Sequence, residues 1–177
     1  RYLYDNNGNI ITEYSLDTER SITRSSFSLL KDNYAFSSFK ANAVFSYNSS
    51  GKPRVVKENN CDVVTYIWGY YSNYPIAVIR GADYPVVRDL LGGDSAVKAL
   101  ETAPSPTISA RELHSKLSKL AGCCVSTYSF NPQIGMVEMI SPNGESTTYT
   151  YDAFSRLAAI KDHNGIVSSS FKYNYKQ

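Results

Sequence analysis

The sequence predicts a mainly β protein: an antiparallel sheet of stacked hairpins that carries an insertion of two to three helices. Three observations predict this class. A short aromatic motif recurs with a period of 21–22 residues, the segments around it alternate as strands do, and leucines replace aromatic residues in residues 82–122. With 177 residues, the chain is expected to form a single domain, 1–177, with the insertion inside it.

The recurring motif is an aromatic residue, any residue, a second aromatic residue, and then Asp, Asn or Gly. Its six copies start at residues 2, 45, 66, 128, 149 and 171. Three intervals of 21, 21 and 22 residues define the period. The interval of 43 residues fits two periods with one unrecognisable copy, and the interval of 62 fits one period plus 41 inserted residues. Such self-similarity indicates units that bury their apolar face only against neighbouring units.

Each unit is predicted to be a strand, a turn, a second strand and a second turn. In the copy at residue 149, Tyr149 and Tyr151 share one face of a strand and Thr150 lies on the other. Asp152 begins a polar connection to the second strand. The pair Asn164-Gly165 then predicts a type I′ turn, because both residues tolerate the positive φ that this turn requires twice.

The insertion is predicted in residues 82–122, which contain six leucines and one of the 15 tyrosines. The pattern indicates a first helix from about Tyr84 to Leu91 and a short second helix from Ser95 to Glu101. The segment Ser109–Glu112 is a capping box that starts a third helix, for which Gly122 is the expected stop.

The position of this insertion predicts two further properties. Because it separates units one period apart, the strands on both sides are expected to be neighbours, with Gly81 close to Cys123. For the same reason, the sheet is expected to keep its fold when residues 82–122 are replaced by a short loop, with some stability lost together with the leucine burial.

Composition narrows the range of partners. Lys and Arg number 18 and Asp and Glu 16, so the chain lacks the basic excess that nucleic-acid binding requires. No apolar run is long enough for a direct membrane span. The three cysteines, Cys61, Cys123 and Cys124, form no CxxC pair, and the chain has only two histidines, so no metal site is expected. They are interpreted as small apolar residues, with the redox state of Cys123 and Cys124 left open.

No residue set in the sequence predicts catalysis. The segment Ser95–Lys98 has S-x-x-K spacing but lacks the motifs that accompany it in enzymes. Asp5, Asn7 and Asn9 have the spacing of a calcium loop, but a polar turn explains them better. We therefore expect that the protein is not an enzyme and uses no cofactor.

The densest aromatic segment allows two interpretations. Trp68, Tyr70, Tyr71 and Tyr74 fall within seven residues, and an exposed set of such rings would stack on sugar rings and bind a glycan. Alternatively, Tyr66, Trp68 and Tyr70 form one core-facing row of a strand. In that case Tyr71 and Tyr74 are the residues left for surface binding. An exposed coplanar strip would favour glycan binding, and a buried one a structural role.

The repeat resembles a known family. Residues 149–157 read YTYDAFSRL, residues 2–10 read YLYDNNGNI and residues 47–52 read YNSSGK. These segments resemble the YD repeat of Rhs (rearrangement-hotspot) and teneurin-type proteins, Y-x-Y-D-x-x-G-R-L, with Ser155 in place of the glycine. On this resemblance the repeat-defining residues are Tyr4, Asp5, Gly8, Tyr47, Asn48, Gly51, Tyr149, Tyr151, Asp152, Arg156, Leu157 and Gly165.

The resemblance implies a secreted or cell-surface bacterial protein. The preferred function is a non-catalytic structural and interaction module, the terminal part of a larger array, whose partners are the remainder of the parent protein and a surface glycan or protein. The alternative is a carbohydrate-binding module that uses the aromatic segment, and a distant alternative is a shell component of a polymorphic toxin. Because a repeat begins at Tyr2, its open strand edge is expected to pair with a second copy in a weak dimer.

Overall fold

The computed structural model describes residues 1–16, 39–58 and 63–174. They fall into two compact units, Arg1–Val63 and Val64–Gln177. Within each unit every strand pairs antiparallel with the next strand along the chain, which confirms the mainly β class with a helical insertion. The prediction of a single domain over residues 1–177 stays a prediction.

The described residues contain eleven strands and three helices. The first unit has β1 (Tyr2–Tyr4), β2 (Ile10–Leu16), β3 (Phe39–Tyr47) and β4 (Pro53–Glu58). The second unit has β5 (Val64–Gly69), β6 (Tyr74–Arg80), α1 (Tyr84–Leu91), α2 (Asp94–Thr102), α3 (Ala110–Leu117), β7 (Cys124–Asn131), β8 (Gly135–Ile140), β9 (Ser146–Tyr151), β10 (Leu157–Lys161) and β11 (Val167–Ser170). None of these helices is longer than nine residues, too short to cross a membrane.

The unrecognisable copy of the repeat, expected between the copies at residues 2 and 45, falls largely on residues 17–38, which lie outside the described residues. On either side of this segment, β2 and β3 pair directly, with Glu13 opposite Ala43. Among the described strands, β2 and β3 are therefore direct neighbours in the sheet.

The helices lie in the predicted insertion. Asp83 caps α1 by accepting the N–H of Tyr84 at 2.9 Å, and Gly92 ends it with a φ of 104°. Helix α2 is one residue longer than predicted at each end. The capping box is confirmed, since the Ser109 hydroxyl accepts the N–H of Glu112 while the Glu112 carboxylate accepts the N–H of Ser109.

The predicted end of α3 at Gly122 is wrong. The helix ends at Leu117, because the Ser118 hydroxyl donates to the carbonyl oxygen of His114. The N–H of Leu120 then bonds three residues back, to Leu117 at 3.0 Å. A serine that bonds back to the preceding turn competes with the helical ladder. Leu120 still packs against the core, but from a tightened turn rather than from the helix.

The expected junction of the insertion is confirmed. Strands β6 and β7 are neighbours, with Arg80 opposite Cys124. A Cβ on Gly81 would lie 3.5 Å from the Cα of Cys123, so the two ends of the insertion are in contact. Cys123 and Cys124 are both free thiols, the first partly buried and the second exposed. Cys61 lies outside the described residues.

The helices cover one face of β5–β7 and form the core of the second unit with it. The sheet contributes Ile67, Ile76, Ala77, Ile79 and Val125, and the insertion contributes Val87, Val97, Leu100, Leu113 and Leu117. Two fully buried threonines of the sheet form hydrogen bonds with the insertion. The hydroxyl of Thr65 donates to the carbonyl oxygen of Ala82 at 2.7 Å, and that of Thr127 to Ala110 at 2.8 Å.

The predicted type I′ turns are wrong. Among the described residues, φ is positive at Gly144 and Gly165 but not at Asn143 or Asn164. The turn starts two residues before the asparagine, where the N–H of Gly165 donates to the carbonyl oxygen of Asp162 at 3.0 Å. This is a type I turn followed by a left-handed residue, and the pairing of β10 with β11 shifts register beside it. The glycine is needed at one position, not two.

The same left-handed position is held by a serine, Ser155, with a φ of 59°. Left-handed backbone costs a residue with a Cβ about 1–2 kcal/mol. We therefore expect Ser155→Gly to raise the free energy of unfolding by about 1 kcal/mol, after the greater chain entropy of glycine is subtracted. The matched reverse change, Gly165→Ala, should lower it by about 1 kcal/mol, since no atom lies within 4 Å of the new Cβ and only backbone strain acts. Urea titrations followed by Trp68 fluorescence measure both, and a loss of stability in Ser155→Gly would contradict the assignment.

Candidate functional site

In four copies of the motif, the first turn is built on an Asp or Asn that starts a five-residue loop, and in the copy at residue 66 the loop starts at Gly69. In the loop from Asp152 to Arg156, the Asp152 carboxylate accepts the N–H of Phe154 at 2.8 Å and that of Arg156 at 3.0 Å. The carboxylate of Asp5 accepts the N–H of Asn7 and of Asn9 in the same way. Asn48 repeats the pattern with its amide oxygen and is 6% exposed. The Asp that defines the repeat is therefore the residue that closes its turn.

The same pattern recurs in turns that the motif does not mark. Asp162 accepts the N–H of Asn164 and of Ile166, each at 2.9 Å, so the connection between two units copies the turn inside a unit. Ser141 starts a similar loop, with the N–H of Gly144 on its carbonyl oxygen at 2.9 Å. Gly8, Gly51 and Gly165 occupy the left-handed position of their loops, with φ of 82°, 72° and 78°.

Arg156 adds an ion pair to its turn. Its guanidinium nitrogens lie 2.6 and 2.8 Å from one carboxylate oxygen of Asp152, and these bonds lower the pKa of Asp152 below its usual value. The guanidinium carbon lies 5.2 Å from the ring centre of Phe154 and 4.3 Å from that of Tyr173. Arg156 is thus held by a carboxylate and two rings, which fixes its charge within the turn.

Tyrosine hydroxyls link consecutive hairpins. The hydroxyl of Tyr47 donates to the carbonyl oxygen of Ile10 at 2.6 Å, that of Tyr151 to Met136 at 2.7 Å, and that of Tyr173 to Leu157 at 2.9 Å. We call these three bonds the tyrosine latches. In each, the donor is the second aromatic residue of the motif, and the acceptor is the fifth residue after the Asp or Asn of the preceding hairpin. The latches give a reason for the tyrosine at this position in these three copies, whereas Trp68 and Phe130 hold it in two others.

The surroundings of the latch hydroxyls affect their pKa and leave little space beside them. Burial raises the pKa of Tyr47 and of Tyr151, and for Tyr47 the charge of Asp5 raises it further. A Cβ on Gly135 would lie only 2.9 Å from the Tyr151 hydroxyl oxygen, so the latch needs a glycine beside its acceptor. Tyr149, by contrast, has no hydrogen-bond partner for its hydroxyl among the described residues; it lies opposite Ile160 on β10.

Tyr151→Phe is expected to lower the free energy of unfolding by about 1 kcal/mol, because the carbonyl oxygen of Met136 loses its donor while ring packing is kept. Tyr149→Phe is the matched control on the same strand and should change it by less than about 0.5 kcal/mol. Urea titration of both variants makes the comparison. Equal losses in the two would show that the Tyr151 latch contributes nothing specific.

The structure separates the four predicted binding aromatics. Tyr70 is 6% exposed and accepts the N–H of Phe130 on its hydroxyl at 3.0 Å. Tyr74 stacks on Phe130 with ring centres 4.7 Å apart, and its hydroxyl donates to Pro132 at 3.3 Å. Trp68 is partly buried on β5, and only Tyr71 is largely exposed, at 63%. These four rings therefore form no exposed coplanar strip.

The alternative, a core-facing row of Tyr66, Trp68 and Tyr70, is also wrong. On β5 the fully buried residues are Thr65 and Ile67, while Tyr66 and Trp68 are only partly buried on the other face. Tyr70 reaches the core because the strand has ended before it and the chain turns. The prediction therefore assigned the wrong face of β5 to the core.

That turn is left-handed at three successive residues, Tyr70, Tyr71 and Ser72, with φ of 53°, 59° and 60°. Such backbone is strained in residues with a side chain and persists only where surrounding contacts hold it. Here the N–H of Tyr71 donates to the carbonyl oxygen of Ala103 at 3.0 Å, and the Ser72 hydroxyl to that of Glu101 at 3.4 Å. The turn thus supplies donors to the C-terminal end of α2.

A cleft of about 310 Å³ lies beside this turn in the second unit. Its polar side chains are neutral: Tyr70, Ser105, Thr107, Ser109, Tyr128 and Ser129. No carboxylate, histidine or cysteine lines it, so it holds no pair of a nucleophile and a general base. No cluster of three metal-ligating side chains occurs in the part of the chain that the structure describes.

Several of these functional positions are missing from the sequence prediction. The latch acceptors Ile10 and Met136 act through backbone carbonyls, so their side chains carry no signal. Phe130 is recognisable as a motif residue, but its stacking partner Tyr74 is not. The fixed offset of five residues between turn and acceptor is the signal that could have found the latches.

The paired hairpins, their Asp- or Asn-based turns and the tyrosine latches define a β-hairpin repeat protein. Residues 136–167, from β8 to the start of β11, match the family model described as RHS Repeat. Residues 136–167 are therefore similar to an Rhs repeat, also called a YD repeat. The matched segment contains the latch residue Tyr151 and the turn residues Asp152 and Arg156.

Two other comparisons gave the following findings. The crystal structure of TcdB2-TccC3-Cdc42 is similar over 88% of this chain, with a TM-score of 0.47 and 10% sequence identity. The chain spans 7% of the length of that solved chain. A comparison with curated proteins found no match.

Proposed function

We propose that this chain is a non-catalytic structural and interaction module of a larger secreted or cell-surface YD-repeat array. The observation that supports this most directly is the set of tyrosine latches. Each joins a hairpin to its neighbour through a backbone carbonyl, so the bonds depend on fold position rather than on the identity of the acceptor side chain. Hydrogen bonds that join each repeated unit to the next are typical of a structural scaffold.

The first strand, β1, offers the surface at which such an array would be extended. Tyr4 is the latch residue of the first hairpin, yet it is 57% exposed and its hydroxyl has no partner within the described ranges. Arg1 and Tyr14 exchange two hydrogen bonds, of 2.9 and 2.8 Å. Since pairs alternate along an antiparallel ladder, the N–H of Tyr2 points away from β2. A further strand, from another hairpin or from a second copy of the chain, would bind at this edge.

The proposal is tested by adding a hairpin. A copy of residues 146–169 fused before Arg1 would place Tyr4 where Tyr173 lies relative to Leu157, because both tyrosines are the second aromatic residue of their motif. In this extended chain we expect protection of the β1 amides from hydrogen exchange. There, Tyr4→Phe should lower the free energy of unfolding by about 1 kcal/mol, whereas in the original chain it should have no effect. Equal effects of Tyr4→Phe in the two chains would contradict the proposal.

Self-association provides a second measurement. Sedimentation velocity over a wide concentration range should show a weak dimer of the original chain, formed through β1. Tyr2→Pro removes the outward N–H without removing a bond to β2, and should abolish the dimer, as should the fused hairpin. A chain that stays monomeric at every concentration, or a dimer that survives both changes, would exclude β1 as the pairing edge.

A further inference from the structure

The neutral cleft of the second unit has an apolar interior and a polar mouth. Ile76 and Leu113 are each 1% exposed and Ala110 is 5% exposed, so these three residues form its deep walls. Ser105 and Thr107 also line the cleft, but they are exposed, so their hydroxyl groups lie at the mouth and face water. A ligand inside the cleft therefore contacts mainly apolar groups.

The hydroxyl of Tyr70 is buried beside this apolar interior. Tyr70 lines the cleft and is 6% exposed. Its hydroxyl accepts the N–H of Phe130 at 3.0 Å, and within the described ranges this is the only hydrogen bond that the hydroxyl forms. A hydroxyl can also donate its own proton. A ligand that supplies an acceptor for this buried proton is therefore favoured.

The turn that carries Tyr70 is strained and held in place. Tyr70, Tyr71 and Ser72 all have left-handed backbone. The N–H of Tyr71 and the hydroxyl of Ser72 donate to carbonyl oxygens at the C-terminal end of α2. Strained backbone of this kind is concentrated at sites that bind ligands. Because these bonds fix the turn before a ligand arrives, little conformational entropy is lost on binding.

The charges around the cleft favour a neutral ligand. Among the residues that the structure describes, no charged side chain lines the cleft, so an ion would lose its hydration without gaining a partner. Helix α3 begins beside the cleft at Ser109 and Ala110, and a helix N-terminus attracts anions. Here the Glu112 carboxylate already accepts the N–H and the hydroxyl of Ser109, and its negative charge opposes a second anion.

The volume of the cleft sets the size of its ligand. A cavity of about 150 Å³ is enough for a benzene molecule, and this cleft has about 310 Å³, which leaves room for one ring with a small substituent. We propose that the cleft binds a small neutral ring compound whose carbonyl oxygen accepts the hydroxyl proton of Tyr70. The ring of the ligand lies between Ile76 and Leu113.

Three ring compounds of the same shape test the proposal on the full chain: neutral benzamide, anionic benzoate and cationic benzamidine. In an NMR titration of the isotope-labelled chain, we expect benzamide to bind with a Kd of about 1 mM. The two ions should bind at least about tenfold more weakly. The amide signals of Ala110 and Leu113 should shift. That of Phe130 should move downfield, because donation by Tyr70 to benzamide polarises the oxygen that accepts this N–H.

Tyr70→Phe removes the donor and keeps the ring. It should weaken benzamide binding about tenfold, whereas toluene, which has no acceptor, should bind to this variant and to the original chain equally. The comparison separates a lost hydrogen bond from a disturbed cleft, because a disturbed cleft would weaken the binding of both compounds.

Filling the cleft provides a second test. Ser129→Leu enlarges a side chain that lines the cleft and should weaken benzamide binding at least about tenfold. Ser126→Leu is the matched control, on the same strand but outside the cleft, and should leave the affinity within about twofold. Circular dichroism confirms that the variants are folded. No measurable binding of benzamide would overturn the proposal. So would ions that bind as tightly as benzamide, or a benzamide affinity that Tyr70→Phe and Ser129→Leu leave unchanged.

Discussion

Leu117→Ala is expected to lower the free energy of unfolding of the second unit by about 2–5 kcal/mol. Leu117 lies on α3 with 0% of its surface exposed, so the shorter side chain leaves a cavity that the packed sheet and helices cannot fill. Urea titration followed by Trp68 fluorescence measures the effect, since Trp68 is the single tryptophan and lies on β5 of this unit.

Leu90→Ala is the matched control for Leu117→Ala. It removes the same atoms from a helix of the same insertion, but Leu90 is 37% exposed and should cost about 1 kcal/mol or less. Similar losses in the two variants would mean that α3 does not pack on the sheet as the structure has it.

Replacing residues 82–122 by a short Gly-Ser loop is expected to unfold the second unit. This reverses the expectation drawn from the sequence. The insertion provides half of the buried core, and without it Ile67, Ile76 and Ile79 would be exposed on the sheet. Thr65 and Thr127 would lose their carbonyl partners as well. We expect loss of β-type circular dichroism from this unit and an exposed Trp68 in fluorescence.

The control for that deletion keeps the length of the chain. Replacing residues 142–144 by Gly-Ser-Gly changes the connection between β8 and β9, which lies at the same end of the strands as the insertion, but it removes no core residue. It should retain the fold with a loss of about 1 kcal/mol from the altered turn. If the deletion variant kept its sheet and the stability of the original, the helices would be a covering layer and not a core element.

The sequence predicts those parts of the fold that depend on local pattern. The 21–22-residue period, the start of α1 at Tyr84 and the capping box at Ser109 follow from residue spacing and local hydrogen bonding. The turn residues Asp5, Asn48 and Asp152 are found for the same reason, because each bonds within its own loop.

The remaining features depend on contacts between distant segments. Tyr70, Tyr71 and Ser72 have no local preference for left-handed backbone, and the conformation is held by Ala103 and Glu101 at the end of α2. The burial of Tyr70 follows from this turn and not from strand alternation, which places Thr65 and Ile67 of β5 in the core.

The tyrosine latches have a consequence for how the chain can change in length. The three latches act at the end of the strands where the turns 5–9, 131–135 and 152–156 lie, whereas the Asp162 turn and the helical insertion lie at the opposite end. There the connections range from the short loop 141–145 to the three-helix segment between Arg80 and Cys124. A foreign domain grafted between Asn143 and Gly144 should therefore be accepted by the sheet, whereas the same graft between Ala153 and Phe154 should not. Insertions are therefore expected to be tolerated at one end of the strands and not at the end that carries the latches.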